Sequence, residues 1–522
     1  MSAATPLEDF INYKADTGMQ CGNYSIDLPE LQDDENYRFH FDATACVGCR
    51  CCEVACNEQN NNPADIKWRR VGESEGGVFP EVTQLFNSMS CNHCIDPACL
   101  IGCPTNSYIK IEETGIVIHD DPSCIGCQYC TWNCPYGVPT FHEERSIVTK
   151  CHMCHERLDV GQSPACVQAC PSGAIEIEVF KPKEWLESEI DEKGNMPHLV
   201  DARVTNATTR YTLPEKMPDS LTAVDDHHLK PSHSEMPLVF MTVLTQISLG
   251  AFLGLFLGDL LSISGKTSPS WVMAVIVMLP AALGLPLSAL HLGRPLKALS
   301  AMKNIKTSWL SREALALGVF TGLMSLNVGL YFFDVSAYFR VFFEAITLGV
   351  GVYGIYAQGM IYQIVARPSW NRKSTLLKFF GVSYIGLFLL AFSLLVQGSN
   401  EAAMPLITLA LLFALAQGFF TYEDRRSLDD SGTYAVELGK TKRLYTEFFS
   451  LHQNIRFGTF FIGAILLPLL VTVLVNSSFA VGLLGLSIIL MSISEFTDRF
   501  LFYATVVPLN MAGGFFVGKQ RH

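Results

Sequence analysis

The cysteines constrain this chain more than any other feature. All 18 lie within the first 170 of 522 residues, and sixteen of them form four groups of four. Group I is Cys46, Cys49, Cys52 and Cys56 (CVGCRCCEVAC). Group II is Cys91, Cys94, Cys99 and Cys103, and group III is Cys124, Cys127, Cys130 and Cys134. Group IV is Cys151, Cys154, Cys166 and Cys170. Groups I and III have the spacing C-x2-C-x2-C-x3-C, whereas II and IV widen the interval before the third cysteine. Three groups end in Cys-Pro; in group I, Asn57 follows Cys56. A cubane iron–sulfur cluster presents four iron corners, each needing a thiolate, and in two-cluster ferredoxins the fourth cysteine of each run ligates the other cluster. Four groups therefore imply two such pairs, with four [4Fe–4S] clusters and sixteen ligands. A lone CxxC pair would fit zinc equally well, but four groups of four with the ferredoxin interval twice do not. The same spacings argue against nine disulfides. Cys21 and Cys51 are left over as non-ligands. His93, His152 and His155 read as polar neighbours, since thiolates already fill every corner.

The rest of the chain divides the molecule in two. Residues 1–235 carry 17 Lys+Arg against 37 Asp+Glu, while residues 236–522 carry 20 against 13. An acidic, cysteine-rich part thus precedes a slightly basic, strongly apolar one. The opening MSAATPLEDFINYKADTG has neither a basic n-region nor an apolar h-region, so the expectation is a cytosolic N-terminus. Residues 1–42 read as a polar lead-in and 43–180 as the cluster domain, with strands in 107–119 and 173–180. Residues 181–236 read as a surface tail and linker, and 237–522 as the membrane part. Its apolar stretches fall at about 238–263, 271–292, 313–333, 339–363, 379–397, 404–420, 457–475 and 479–502, each near the ~20 residues a spanning helix needs. The sixth is the shortest. The expected fold is multidomain: an α+β double ferredoxin-like domain followed by an all-α polytopic bundle of eight helices.

The four groups, in this order and with these intervals, resemble the four-cluster iron–sulfur subunit of the DMSO reductase family of molybdenum enzymes. The resemblance covers about residues 40–180. It implies that one cluster takes Cys46, Cys49, Cys52 and Cys170, and a second Cys151, Cys154, Cys166 and Cys56. A third takes Cys91, Cys94, Cys99 and Cys134, and the fourth Cys124, Cys127, Cys130 and Cys103. It further implies that the group I cluster faces a molybdopterin catalytic subunit on a separate chain, with the group III cluster nearest the membrane. The membrane half is similar to the eight-helix anchor subunit of the same family, through SALHLGRPLKALSAMKNIKTSWLSREALALG (288–318) and SEFTDRFLFYA (494–504). In the family these are two chains; here they are fused. The implied role is electron transfer between membrane quinone or quinol and the partner, as in anaerobic respiration. A sulfite–quinone dehydrogenase, or another molybdenum or hydrogenase complex, is the alternative. Membrane lipid is a further expected partner, and nucleic acid is not.

Eight helices put both termini on one side. That side carries eighteen Lys+Arg, in 293–312, 364–378, 421–456 and the end from Arg499, against Lys266 and Arg340 on the other. The positive-inside rule then places the iron–sulfur half on the cytoplasmic face of the cell inner membrane. His291 ends the second apolar stretch and Glu313 opens the third, both on that face. A quinol losing two electrons must also lose two protons, and a histidine and a carboxylate are suitable acceptors. In the anchor family the residues at these positions are tied to the quinol site. Arg499, Glu495 and Asp498 read as an internal ion-pair cluster. His227, His228 and His233 read as solvated linker residues. Haem is not expected: of the histidines in the membrane half, only His291 lies in a span, with His452 in a loop and His522 in the tail.

Overall fold

The computed structural model describes residues 28–218, 220–263, 270–477 and 479–510. Cys21, Lys266 and the tail from 511, with His522, lie outside the described residues. The chain divides into two compact units: Leu229–Pro508, and the described residues to either side of it.

The first unit is built on β1 (Asn36–Asp42, NYRFHFD), whose alternating Tyr37, Phe39 and Phe41 are all buried. This period of two turns one face of the strand to the core. Further strands are β2 (Arg70–Val78), β3 (Glu81–Met89), β4 (Tyr108–Lys110), β5 (Val117–His119), β6 (Thr140–His142), β7 (Ile147–Thr149), β8 (Ile175–Phe180), β9 (Arg210–Thr212) and β10 (Thr222–Ala223). The sheets run β8-β1-β9 and β10-β2-β3, with hairpins β4-β5 and β6-β7. β1 is antiparallel to β8, with Phe39 opposite Ile177 and Phe41 opposite Ile175, and parallel to β9.

The boundaries of 43–180 read from the sequence are too narrow. β1 lies in the stretch read as a lead-in, yet it is the central strand of its sheet. Trp185, Ile190, Ala202 and Tyr211, from the stretch read as a tail, are buried in the same core as Phe39 and Phe41. The Trp185 indole also donates to the Ala207 carbonyl at 2.9 Å. A few apolar anchors, spaced among charged residues, tie this segment down where its average composition reads as solvated.

The second unit holds eight helices long and apolar enough to cross a membrane. They are Met236–Leu261, Trp271–His291, Trp309–Phe332, Ala337–Met360, Lys373–Val396, Asn400–Asp429, Ser450–Leu474 and Phe479–Ala504, here called the first to eighth spans. The sixth is the longest at 30 residues, so the shortest apolar stretch belongs to the longest helix. Its last turns are polar (TYEDRR) and extend the helix beyond the apolar run. The first and fifth spans are the most buried, at 83% and 72% of their apolar windows. They cross at Gly250 and Gly386. A Cβ on Gly250 would sit 1.8 Å from the Ser383 carbonyl oxygen, and one on Gly386 2.1 Å from that of Ile247. Small residues let two backbones approach in a medium where close packing, not the hydrophobic effect, drives association.

Candidate functional site

Each cysteine group folds its opening CxxC in the same way. The residue two positions after the first cysteine has left-handed backbone in all four: Gly48 (φ 66°), His93 (42°), Gly126 (68°) and Met153 (59°). That turn aims its N–H back at the first sulfur. His93 N lies 3.4 Å from Cys91 Sγ, Gly126 N 3.4 Å from Cys124 Sγ, and Met153 N 3.4 Å from Cys151 Sγ; Gly48 makes the matching bond to Cys46. Consecutive inward N–H groups make a concavity for anionic ligands. Group I has least latitude, because a Cβ on Gly48 would lie 2.4 Å from the Phe86 ring.

The groups also meet across the fold. Cys46 interacts with Cys49 and Cys170, and Cys56 with Cys151, Cys166 and Cys154. Cys99 interacts with Cys134, Cys91 and Cys94, and Cys130 with Cys127, Cys103 and Cys124. Each set crosses between groups, I with IV and II with III. One set, Cys56, Cys151, Cys154 and Cys166, lines a common cavity with Arg69, His152 and Trp68. Burial raises the Cys52 thiol to about 11, and the Cys127 and Cys154 thiols to about 12. Desolvated thiols in such sets ionise when a metal replaces the proton. The donor chemistry, the shared turns and the cavity all fit cubane iron–sulfur clusters. Cys51 is exposed and hydrogen-bonded to Cys49.

Arg69 and Lys150 are buried cations among the sulfurs. Arg69, 1% exposed, donates to the Ser88 carbonyl (3.1 Å), Ser88 Oγ (3.2 Å) and Ser90 Oγ (2.9 Å), and lies 4.6 Å over the Phe39 ring. Burial alone would lower its pKa, but the thiolates of Cys166, Cys52, Cys151 and Cys56 outweigh that and raise it. Lys150 Nζ bonds the carbonyls of Val117 and Cys151 and lies 3.8 Å from Cys91 Sγ. Among the histidines, His93 Nδ1 accepts from Val117 N at 3.0 Å, while His152 packs edge-on to Trp68 and His155.

In the second unit, His291 closes the second span and is 7% exposed at the side chain. Its Nδ1 lies 2.8 Å from Oε2 of Glu235, the residue that precedes the first span. Glu313, buried in the second turn of the third span, hydrogen-bonds Gln358 of the fourth. Among the described residues its Oε1 has no hydrogen-bond partner. Gln358 also donates to Thr245 Oγ1 (3.2 Å) and accepts from Gln246 (2.6 Å), whose carbonyl in turn accepts from Arg499 (3.2 Å). Tyr503 shares a hydrogen bond with Tyr362 and lies within electrostatic reach of both Glu313 and Glu235. Tyr503 thus links the His291–Glu235 pair to Glu313. Arg312 is engaged elsewhere, by the carbonyls of Ile305 and Lys306.

The expected cluster of Arg499, Glu495 and Asp498 is rearranged. Asp498 pairs with Lys378 (3.1 Å) and Arg456 (3.3 Å). Glu495 instead accepts from Tyr384 and Gln417, and Arg499 stacks 3.7 Å over Phe379. His227 and His228 are exposed.

Sequence reasoning missed Glu235, Gln358, Tyr362 and Tyr503. Glu235 lies in the segment read as linker, and its signal was an acidic residue set directly before an apolar run. Gln246 and Gln358 were visible as polar residues in spans, but their meeting depends on how helices far apart in sequence pack.

The family model described as "DMSO reductase anchor subunit (DmsC)" matches residues 230–505, and "4Fe-4S dicluster domain" matches 82–179. A subunit of the anaerobic dimethyl sulfoxide reductase of Escherichia coli (strain K12) is 39% identical over 149 residues, 27% of this chain and 72% of that protein. Its counterpart in Haemophilus influenzae is 35% identical over 180 residues, 33% of this chain and 86% of that protein. The iron–sulfur subunit of nitrate-inducible formate dehydrogenase from E. coli K12 is 38% identical over 156 residues, 27% of this chain and 53% of that protein. With its cysteine sets and eight apolar helices, this multi-pass membrane protein carries iron–sulfur clusters for electron transfer and belongs to the DMSO reductase anchor subunit (DmsC) family, with a 4Fe-4S dicluster region ahead of the anchor.

Proposed function

We propose that this chain carries electrons between membrane quinone and a separate molybdopterin catalytic subunit, using four [4Fe–4S] clusters held by its sixteen grouped cysteines. Cys46, Cys49, Cys52 and Cys170 would hold one, and Cys56, Cys151, Cys154 and Cys166 a second. Cys91, Cys94, Cys99 and Cys134 would hold a third, and Cys103, Cys124, Cys127 and Cys130 the fourth. Bound clusters supply one-electron chemistry. The protein's own part is to fix their spacing, exclude water and set the local charge through Arg69, Lys150 and the backbone N–H groups. A molybdopterin partner is the reading favoured by the dimethyl sulfoxide reductase relatives.

One observation carries the quinone assignment. His291 pairs with Glu235, and Tyr503 lies within electrostatic reach of both Glu235 and Glu313, so a histidine and two buried carboxylates lie at one end of a membrane bundle, where ionisable groups are costly and are functional candidates. A quinol bound there meets proton acceptors at the depth where it gives up electrons. The loop charges favour the cytoplasmic side of the cell inner membrane for this end and for the iron–sulfur unit. A second reading, supply of electrons to quinone from a dehydrogenase partner, is favoured by the formate dehydrogenase relative.

The test is anaerobic addition of a quinol to the purified complex, followed by EPR of the clusters. Reduction that fails with His291→Ala supports the reading. Clusters that stay oxidised with wild-type protein, or reduce equally in the variant, overturn it. Metal analysis and identification of the co-purifying catalytic subunit distinguish the two directions.

A further inference from the structure

The chain enters its first span in an unusual way. Glu235, the residue just before that helix, has left-handed backbone (φ 47°, ψ 48°). Such backbone is sparsely populated for any residue but glycine and persists where its surroundings demand it. The turn folds the side chain of Glu235 beneath the bundle, 8% exposed, between two imidazoles. Oε2 lies 2.8 Å from His291 Nδ1, and Oε1 lies 3.3 Å from His233 Nδ1. The three side chains grade from inside to outside: 7% exposed for His291, 10% for Glu235 and 68% for His233. His233 Nδ1 is also 3.3 Å from the Glu235 backbone nitrogen, so the neutral ring accepts there while the protonated ring donates to Oε1. In the neutral ring, Nδ1 is then a proton acceptor facing the carboxylate.

From this geometry we infer that His291, Glu235 and His233 form a proton relay between the proposed quinone site and water, opening at the membrane face where the chain enters its first span. The inference rests on the quinone reading above and adds a route to it. Oxidation of quinol to quinone releases two electrons and two protons. The electrons pass to the iron–sulfur unit of the same chain. A proton taken up by the His291 imidazole leaves from Nδ1 to Glu235 Oε2, turning the carboxylate into a transient carboxylic acid; rotation of that carboxyl hands the same proton to His233 Nδ1, which restores the carboxylate, and His233 discharges it to solvent. In quinone reduction the same path runs inward.

The electrostatics suit a bridging anion. Burial would raise the Glu235 carboxyl, but hydrogen bonds to His233 and His291 outweigh it and hold the group down at about 2. The same carboxylate raises His233. Glu235 is therefore charged at rest, stabilises whichever imidazole carries the proton, and holds a proton only in transit between them.

The test uses the purified complex with its clusters loaded. His233→Ala removes only the exposed end of the path. The expected result is a several-fold lower rate of cluster reduction by quinol, an increased solvent deuterium isotope effect, and recovery with added imidazole. Glu235→Gln, which keeps the shape but cannot carry the proton, is expected to slow the rate further and not to respond to imidazole. Binding of a fluorescent hydroxyquinoline N-oxide quinol analogue should be unchanged in His233→Ala, which separates proton exit from pocket damage. Wild-type rates and isotope effects in both variants, with His291→Ala still inactive, would overturn the relay and leave the quinone reading intact. Full activity of His291→Ala would remove the quinone reading itself.

Discussion

Arg69 offers the sharpest quantitative test of the cluster unit. It is fully buried and surrounded by sulfur: Cys52 of one proposed cluster set, and Cys56, Cys151 and Cys166 of the other. A buried charge that is uncompensated is strongly destabilising, so this guanidinium persists because thiolates balance it. Each cluster gains negative charge on reduction, and a fixed cation nearby favours that step. At an effective dielectric of about 20, a unit charge ~8 Å from a redox centre contributes roughly 2 kcal/mol. For a one-electron couple that is on the order of 90 mV. Arg69→Gln removes the charge but retains a donor for Ser88 and Ser90. The expected outcome is a potential lower by about that amount in one or both clusters of groups I and IV, read by EPR-monitored redox titration. Arg69→Lys should restore most of it. Unchanged potentials in Arg69→Gln, with all clusters present, would refute the assignment of Arg69 as their counter-charge.

Other outcomes follow from the packing and charge described above. Trp185→Ala should destabilise the cluster unit by about 3–5 kcal/mol, read as earlier thermal loss of cluster absorbance; no change would return residues 181–213 to the status of a tail. Gly48→Ala places a Cβ against Phe86 at a positive φ, and its expected result is loss of the group I cluster from the EPR spectrum while group III signals remain. At the opposite end of the bundle, Arg340 pairs with Asp259 at 2.8 Å, and Asp259 also accepts from Tyr331. Arg340→Leu should cost about 3–5 kcal/mol through the stranded buried carboxylate. Adding Asp259→Asn should recover part of that in detergent melting curves. Glu235, held at about 2, contributes stability fully present above its unfolded value near 4.5 and lost as pH falls toward 2. Its contribution is on the order of 3 kcal/mol, so the difference in melting between wild type and Glu235→Gln should shrink as pH drops from 5 to 3.

The cysteine chemistry was legible in the sequence because a cluster fixes its ligands through local spacing, and local spacing is what a sequence displays. The eight spans were legible for a similar reason: length and apolarity are properties of a single segment. Domain edges were not, since Trp185 and Tyr211 join a core that includes β1, more than 140 residues earlier. The polar surroundings of the proposed quinone site were half legible. His291 and Glu313 flank one loop and could be paired by eye, whereas Gln246, Gln358 and Tyr503 come together through contacts among the first, fourth and eighth spans. Glu235 escaped because its role depends on a left-handed turn. Nothing in HSEMP announces that turn, since the residue adopting it is not glycine.

The central claim is that one polypeptide joins a four-cluster conductor to a quinone site. Its most direct test is an anaerobic titration of the purified complex with quinol, with iron counted and the cluster signals integrated by EPR. The expected result is about sixteen iron atoms bound by the sixteen grouped cysteines, with reduction that requires His291. Two clusters instead of four, or reduction indifferent to His291, would contradict it.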